Sequence, residues 1–254
     1  MNGKGPAVAE PRQITVAQAL GLLRGGEISV QGQFPWSSNY TFLVSVRGNG
    51  HEALAVYKPC RGERPLWDFD SGTLCRREVA AYVVSRTLGW PDIPPVVLRE
   101  GPQGLGSLQL FIEADYDEHY FTLRERPDCD EAFRRVTVFD YLVNNADRKG
   151  GHLLVSNDGR VWAIDHGLTF HVQFKLRTVI WDYAGQPLPE EMVRDLRGLL
   201  RQVNRPDSAL TRELQDLISP AERAALRERL EALLRDEVYP NPRPSWRNIP
   251  YPLV

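Results

Sequence analysis

Four charged residues stand where their chemistry has room to act. Lys58 closes the apolar run Ala53–Tyr57 and is one of four lysines set against 27 arginines. A lysine there is either an edge residue that keeps its ammonium in water or a cation that holds phosphate oxygens from the floor of a sheet. Glu78 follows within a helical pattern. It either faces water or, on a helix packed against that strand, pairs with Lys58 and aims it. Asp147 and Asp165 flank a second pattern: Leu153–Val155, the turn Asn157-Asp158-Gly159, and Val161–Ile164. That is a hairpin signal, and a hairpin returns both acids to one end of a ribbon. The two are either turn-capping aspartates or a hydroxyl-orienting base and a divalent-metal ligand. Ahead of Lys58, Ser37, Ser38 and Asn39 lie in a polar turn with no GxGxxG pattern. They can offer N–H groups and side chains to phosphate oxygens, and a plain hairpin turn explains them equally well.

These residues need elements to position them. A capping box at Thr15 and Gln18 opens a helix that Gly25-Gly26 ends. Strands are predicted over Glu27–Gln33, Tyr40–Val46 and Ala53–Tyr57, with a turn at Arg47–Gly50 between the last two. A polar loop, 61–73, contains Trp67, and a helix runs from Leu74 to Leu88. Val96–Arg99 and Ser107–Glu113 read as two further strands. A helix over 131–146 precedes the hairpin, and the chain is helical from 188 onward. Ser219-Pro220-Ala221-Glu222 is a capping box with proline at the first helical position, opening a helix to about Arg235. Five prolines between Pro240 and Pro252 predict an extended tail that packs on the body.

Composition narrows the classes. The 254 residues are 42% hydrophobic and 25% charged, with a net charge of −2. This excludes a wholly disordered chain, a collagen-like fibre and a coiled coil. A near-neutral chain has no global field for nucleic acid or an anionic membrane, so no nucleic-acid partner is expected. No apolar run approaches the roughly 18 residues of a membrane span, and the start has no apolar signal segment. Three cysteines without a CxxC pair suggest neither zinc nor a disulfide framework. A reduced, cytoplasmic globule is the expectation.

In order along the chain, Val56-Tyr57-Lys58-Pro59, Glu78–Tyr82, Leu88-Gly89, Gly106–Glu113 and Ile164–Phe170 resemble segments of the phosphoinositide 3-/4-kinase-related, atypical branch of the kinase superfamily. The type II phosphatidylinositol 4-kinases and HipA-type kinases are the nearest in pattern, and a bacterial member is suggested. The resemblance implies an α+β, two-lobed protein-kinase-like fold. A lead over 1–12, expected to be flexible, would precede a β-rich N-lobe over 13–113 with one main helix. A helical C-lobe would span 114–239, with a Pro-rich tail over 240–254. The resemblance implies ATP with Mg²⁺ or Mn²⁺, and γ-phosphate transfer to a hydroxyl of a protein, small molecule or lipid. Lys58 would bind the α/β-phosphates and Glu78 would pair with it. Gln109, Leu110, Phe111, Ile112 and Glu113 would form the hinge that meets adenine. Asp147 would orient the acceptor hydroxyl and Asp165 would hold the metal. Lys149, with Arg148, would neutralise charge on the transferring group.

Two departures stand out. His152 occupies the place of a metal-binding Asn; imidazole favours Mn²⁺ over Mg²⁺ and competes with protons near pH 6.5. The stretch from Cys60 to Cys75 lacks the cysteine cluster of the type II lipid kinases, which favours a soluble acceptor. A nucleotide-binding pseudokinase and an AMP transferase on the same fold are the alternative functions.

Overall fold

The computed structural model describes residues 14–35 and 39–254. The expectations for the lead, Ser37 and Ser38 fall outside the described residues.

Helix α1 (Val16–Gly25) starts at the Thr15/Gln18 capping box and buries Ala19, Leu20, Leu22 and Leu23. Five strands follow in an antiparallel sheet: β1 (Glu27–Gln33), β2 (Phe42–Gly48), β3 (His51–Pro59), β4 (Val96–Gly101) and β5 (Gly104–Leu110). Their spatial order is β1-β2-β3-β5-β4. The final strand therefore inserts between β3 and β4. Lys58 lies opposite Ser107, and Val56 opposite Gln109. Residues directly opposite share a face, so these four side chains lie on one side of the sheet, while Ala55 and Tyr57 are buried on the other. The close approach needs glycine. A Cβ on Gly106 would stand 2.5 Å from the Lys58 carbonyl oxygen.

Helix α2 (Leu74–Leu88) lies between the sheet and the later helices and is buried on nearly every side, Glu78 and Arg77 included. It ends at Gly89, whose φ of 91° suits the left-handed cap. A short helix not anticipated from sequence, α3 (Tyr120–Leu123), leads into α4 (Pro127–Val143). Asn144 ends α4 in the left-handed region, before the predicted 146, and its amide bonds hold His171, Gln173 and Lys175. The hairpin forms as β6 (Leu153–Val155) and β7 (Val161–Ala163). Three helices complete the body: α5 (Glu190–Val203), α6 (Ala209–Gln215) and α7 (Pro220–Asp236), the last opening on the Ser219/Glu222 capping box. The proline-bearing tail packs on the body as expected. The Asn248 carbonyl accepts from the Thr178 amide and the Trp181 indole, and the Leu253 carbonyl accepts from the Gly150 amide.

A β-rich lobe thus sits over a helical one, and one hydrophobic core runs through both. Among the described residues no helix is long and apolar enough to cross a membrane.

Candidate active site

The cleft between the lobes has a volume of about 840 Å³, within the roughly 300–1,000 Å³ range of ligand pockets. Lys58, Glu78, Asp147, His152 and Asp165 line it together. The sequence separated these residues by up to 107 positions.

Strand β3 and helix α2 build the upper part. The Lys58 ammonium lies 2.6 Å from Glu78 Oε1 and 3.1 Å from Asp165 Oδ1. Burial acts against the lysine's charge, but Asp165 and Glu78 outweigh it and hold its pKa above the ordinary lysine range. Glu78 is 1% exposed. Its second oxygen accepts from the Ser107 hydroxyl at 2.7 Å, so both carboxylate oxygens are satisfied. Sequence reasoning missed Ser107. Its role follows from the fold: β5 pairs with the lysine strand, so a hydroxyl opposite Lys58 faces the same way.

The lower part rests on a buried arginine. Arg148 is 0% exposed and gives every N–H a partner. It donates to both oxygens of Asp140, to the carbonyls of His152 and Ile164, and to His166 Nε2. Asn145 donates to Asp140 and accepts from the Asp147 amide. The loop that carries Asp147 and the turn that carries Asp165 are therefore fastened to one guanidinium. This corrects the expectation that Arg148 neutralises a transferring group: its charge is spent inside the protein on Asp140. Asp140 was legible as the lone acid in the apolar run Val136–Val143. Because arginine only donates, His166 Nε2 accepts and the ring is neutral. Burial and Arg148 hold its pKa well below the usual range.

Asp165 sits at φ 59°, in the left-handed region that Asp tolerates better than most residues. Its side chain is 48% exposed toward the cleft, and Lys58 above all holds its carboxyl well below the ordinary range. Asp147 is the opposite case. Burial pushes its carboxyl up to about 6, with Lys149 pulling down and Asp165 pushing up. Lys149 Nζ is 3.5 Å from Asp147 Oδ2, within reach of the same space. Arg177, which sequence reasoning did not single out, holds the Ala146 carbonyl at 2.7 Å.

His152 does point at Asp165, with Nε2 at 3.4 Å from Oδ2. Its Nδ1 accepts from the Lys149 amide, which leaves the proton on Nε2, facing the carboxylate. In that tautomer the imidazole presents no lone pair to a cation. Burial also lowers its pKa to about 4, so proton competition near pH 6.5 does not apply. The metal-facing donors of this site are carboxylate oxygens. A hard oxygen set with room for water and phosphate fits Mg²⁺.

The hinge is narrower than its five expected residues. Gln109 and Leu110 belong to β5, and Gln109 is flanked by β3 and β4. Phe111, whose amide still donates to the Leu54 carbonyl of β3, and Ile112 follow the strand and line the cleft with Val56, Leu154 and Ile164; Glu113 is not among the lining residues. Gln109 is 4% exposed and its amide nitrogen has no partner, an orphan donor on the cleft wall. Asn39 also lines the cleft, but its Oδ1 accepts from the Arg64 amide and so fixes a loop. Cys60 and Cys75 form a disulfide, contrary to the sequence expectation. Their spacing carried no signal because the strand end and the helix start meet only in the fold.

A family model for phosphatidylinositol 3- and 4-kinases matches residues 99–236. The chain belongs to this family. Asp147, His152 and Asp165 fall inside the match, while Lys58 and Glu78 precede it. Protein Rv2133c of Mycobacterium tuberculosis is 39% identical over 264 residues, covering 91% of this chain and 94% of that protein. Phosphatidylinositol 4-kinase gamma 4 of Oryza sativa subsp. japonica is 29% identical over 134 residues, 43% of this chain and 22% of that enzyme. Phosphatidylinositol 4-kinase gamma 3 of Arabidopsis thaliana is 28% identical over 203 residues, 59% of this chain and 35% of that enzyme. The chain thus spans only a fifth to a third of these plant kinases. The crystal structure of the Helicobacter pylori proinflammatory kinase CtkA superposes with a TM-score of 0.53 at 12% identity, covering 85% of this chain and 94% of that one. At that identity the likeness shows the kinase fold. The atypical-kinase resemblance read from the sequence is borne out at the level of family and fold.

Proposed function

We propose that this chain is an ATP-dependent phosphotransferase that moves the γ-phosphoryl group to a hydroxyl of a protein, small molecule or lipid. The observation that carries the reading is the Lys58 ammonium, held at once by Glu78 and Asp165 at the base of an apolar-walled cleft that also holds Asp147. Lys58, aimed by Glu78, holds the α- and β-phosphates. The Phe111–Ile112 backbone meets adenine, with Val56, Leu154 and Ile164 on the ring faces. Asp147, its carboxyl raised by burial to about 6, takes the proton of the acceptor hydroxyl as that hydroxyl's oxygen bonds phosphorus and the bond to the β-phosphate oxygen breaks. Lys149 offsets charge on the transferring group. Asp165 and the phosphates would hold Mg²⁺ or Mn²⁺, which supplies charge neutralisation.

The names of the plant relatives point to an inositol lipid as one acceptor, and the missing cysteine cluster supports a soluble one. The test is intact-mass analysis after incubation with ATP and either metal, against panels of proteins, metabolites and lipid vesicles. Gain of a phosphate by an acceptor is expected. Gain of AMP would replace the reading by nucleotidyl transfer. One observation favours a second reading: the protonated Nε2 of His152 faces Asp165 where a metal ligand is expected. A nucleotide-binding pseudokinase would bind ATP and leave every acceptor's mass unchanged.

A further inference from the structure

The Cys60–Cys75 bond lies beside the ion pair on which the proposed reaction depends. Cys60 comes two residues after Lys58, in a 3-10 turn, and Cys75 lies one helical turn before Glu78 on α2. The disulfide thus joins the end of the lysine strand to the start of the glutamate helix, with Cα atoms 5.7 Å apart. It joins the same two elements as the Lys58–Glu78 contact at 2.6 Å. At the end of that first turn Arg77 is tied to Glu222 and to the Thr169 carbonyl, and core packing holds the rest of α2. The disulfide is the covalent member of the contacts that hold the first turn, beside the Arg76 bond to the Asp216 carbonyl and the packing of Leu74 on Phe69 and Ala146.

Glu63 completes the arrangement. One oxygen accepts from the Cys75 amide at 2.9 Å, at the helix N-terminus. The other is buried among the amides of Gly72, Thr73 and Leu74 without a well-aligned bond. A carboxylate oxygen of Glu63 and both sulfurs lie within 4.8 Å of one another. A poorly satisfied buried acceptor is costly, and here a thiol S–H is the donor that reduction would create. Cys75 also lines the cleft, so the bond borders open space.

We infer that Cys60–Cys75 is a reversible redox site: oxidised, it staples the first turn of α2 so that Glu78 aims Lys58, and reduced, it releases that turn and weakens nucleotide binding. A dithiol reductant supplies two electrons and two protons. Its thiolate attacks one sulfur, the S–S bond breaks through a mixed disulfide, and the reductant leaves as its own disulfide while Cys60 and Cys75 become thiols. The reduced state would then offer Glu63 an S–H donor that the oxidised state lacks. The functional half of the inference rests on the phosphotransferase reading; the structural half does not.

The experiment compares the full chain oxidised and after dithiothreitol, with thiol alkylation to count the states. Amide hydrogen exchange across residues 76–80 reports the helix turn, and titration with ATP and Mg²⁺ reports the cleft. If reduction leaves the paired turn about one tenth populated, apparent nucleotide affinity falls about ten-fold and reoxidation restores it. Cys60→Ser should exchange and bind like the reduced form with or without dithiothreitol. Equal exchange and affinity in both states, or an oxidised protein with both thiols free, would overturn the inference. Faster exchange on reduction, in a chain that binds no ATP in either state, would uphold the staple and sink the phosphotransferase reading.

Discussion

Replacing Glu78 by Gln keeps the shape of the side chain and removes its charge. In the structure that charge faces Lys58 at 2.6 Å with 1% of the residue exposed, and its other oxygen takes the Ser107 hydroxyl at 2.7 Å. An amide offers one oxygen where two acceptors are needed, so either Lys58 or Ser107 meets an N–H. Breaking a buried pair from one side costs about 3–5 kcal/mol when the remaining charge is left alone. Lys58 is not left alone, because Asp165 stands 3.1 Å away. The expected loss of stability is therefore smaller, about 1–3 kcal/mol, the cost of a poorly satisfied hydrogen-bonding group. The larger effect falls on turnover. Lys58 would be left with Asp165 as its one anionic partner and would shift toward it, away from the position that Glu78 fixes. A displacement of about 1 Å costs about 10²-fold in kcat/KM. Urea unfolding measures the first quantity, and steady-state phosphotransfer with ATP and Mg²⁺ the second. Turnover within about three-fold of the parent, with a normal unfolding midpoint, would refute the idea that Glu78 aims Lys58.

Asp165→Asn should abolish metal-dependent ATP turnover and lower the unfolding midpoint only modestly, since its half-exposed carboxylate is one of two anions that hold Lys58; turnover within a few-fold of the parent would remove Asp165 from the site. Burial raises the Asp147 carboxyl to about 6, so turnover should fall as pH drops through about 6, when the carboxylate that accepts the hydroxyl proton is lost. The sign for stability is reversed: a folded pKa above the unfolded one favours the fold below the unfolded value and ceases to do so as pH rises through about 6. Asp147→Asn should then be inactive yet raise Tm at pH 7, and a pH-independent rate between 5 and 7 would contradict the assignment. His152→Asn should raise Mg²⁺-supported turnover relative to Mn²⁺, because an amide oxygen replaces an N–H facing Asp165; an unchanged metal ratio would show that His152 only caps its loop. Arg148→Met should cost about 3–5 kcal/mol by stranding the buried Asp140 carboxylate, read as a lowered urea midpoint, and a midpoint near the parent's would show that the loop does not depend on this network.

Local signals in the sequence were enough for most elements. The capping boxes at Thr15/Gln18 and Ser219/Glu222, the Gly89 cap and the Asn157–Gly159 turn each satisfy backbone groups within a few residues, so their structures follow from neighbours along the chain. Helix Leu74–Leu88 and strands Glu27–Gln33 and Leu153–Val155 lie where the pattern put them. The hairpin also located Asp147 and Asp165 on one cleft, since a two-stranded ribbon fixes its own ends. What the sequence left undecided depended on contacts between distant segments. Arg148 looked like a loop cation beside Asp147, and only the fold buries it against Asp140 and His166. Ser107 gained its role from the insertion of β5 beside β3. Cys60 and Cys75 became a bonded pair because α2 starts where β3 ends in space. His152 kept its place by spacing, but its tautomer and low pKa come from the Lys149 amide and from burial. Charge, protonation and pairing depend on distance and dielectric, and in this protein both are set by packing between the lobes.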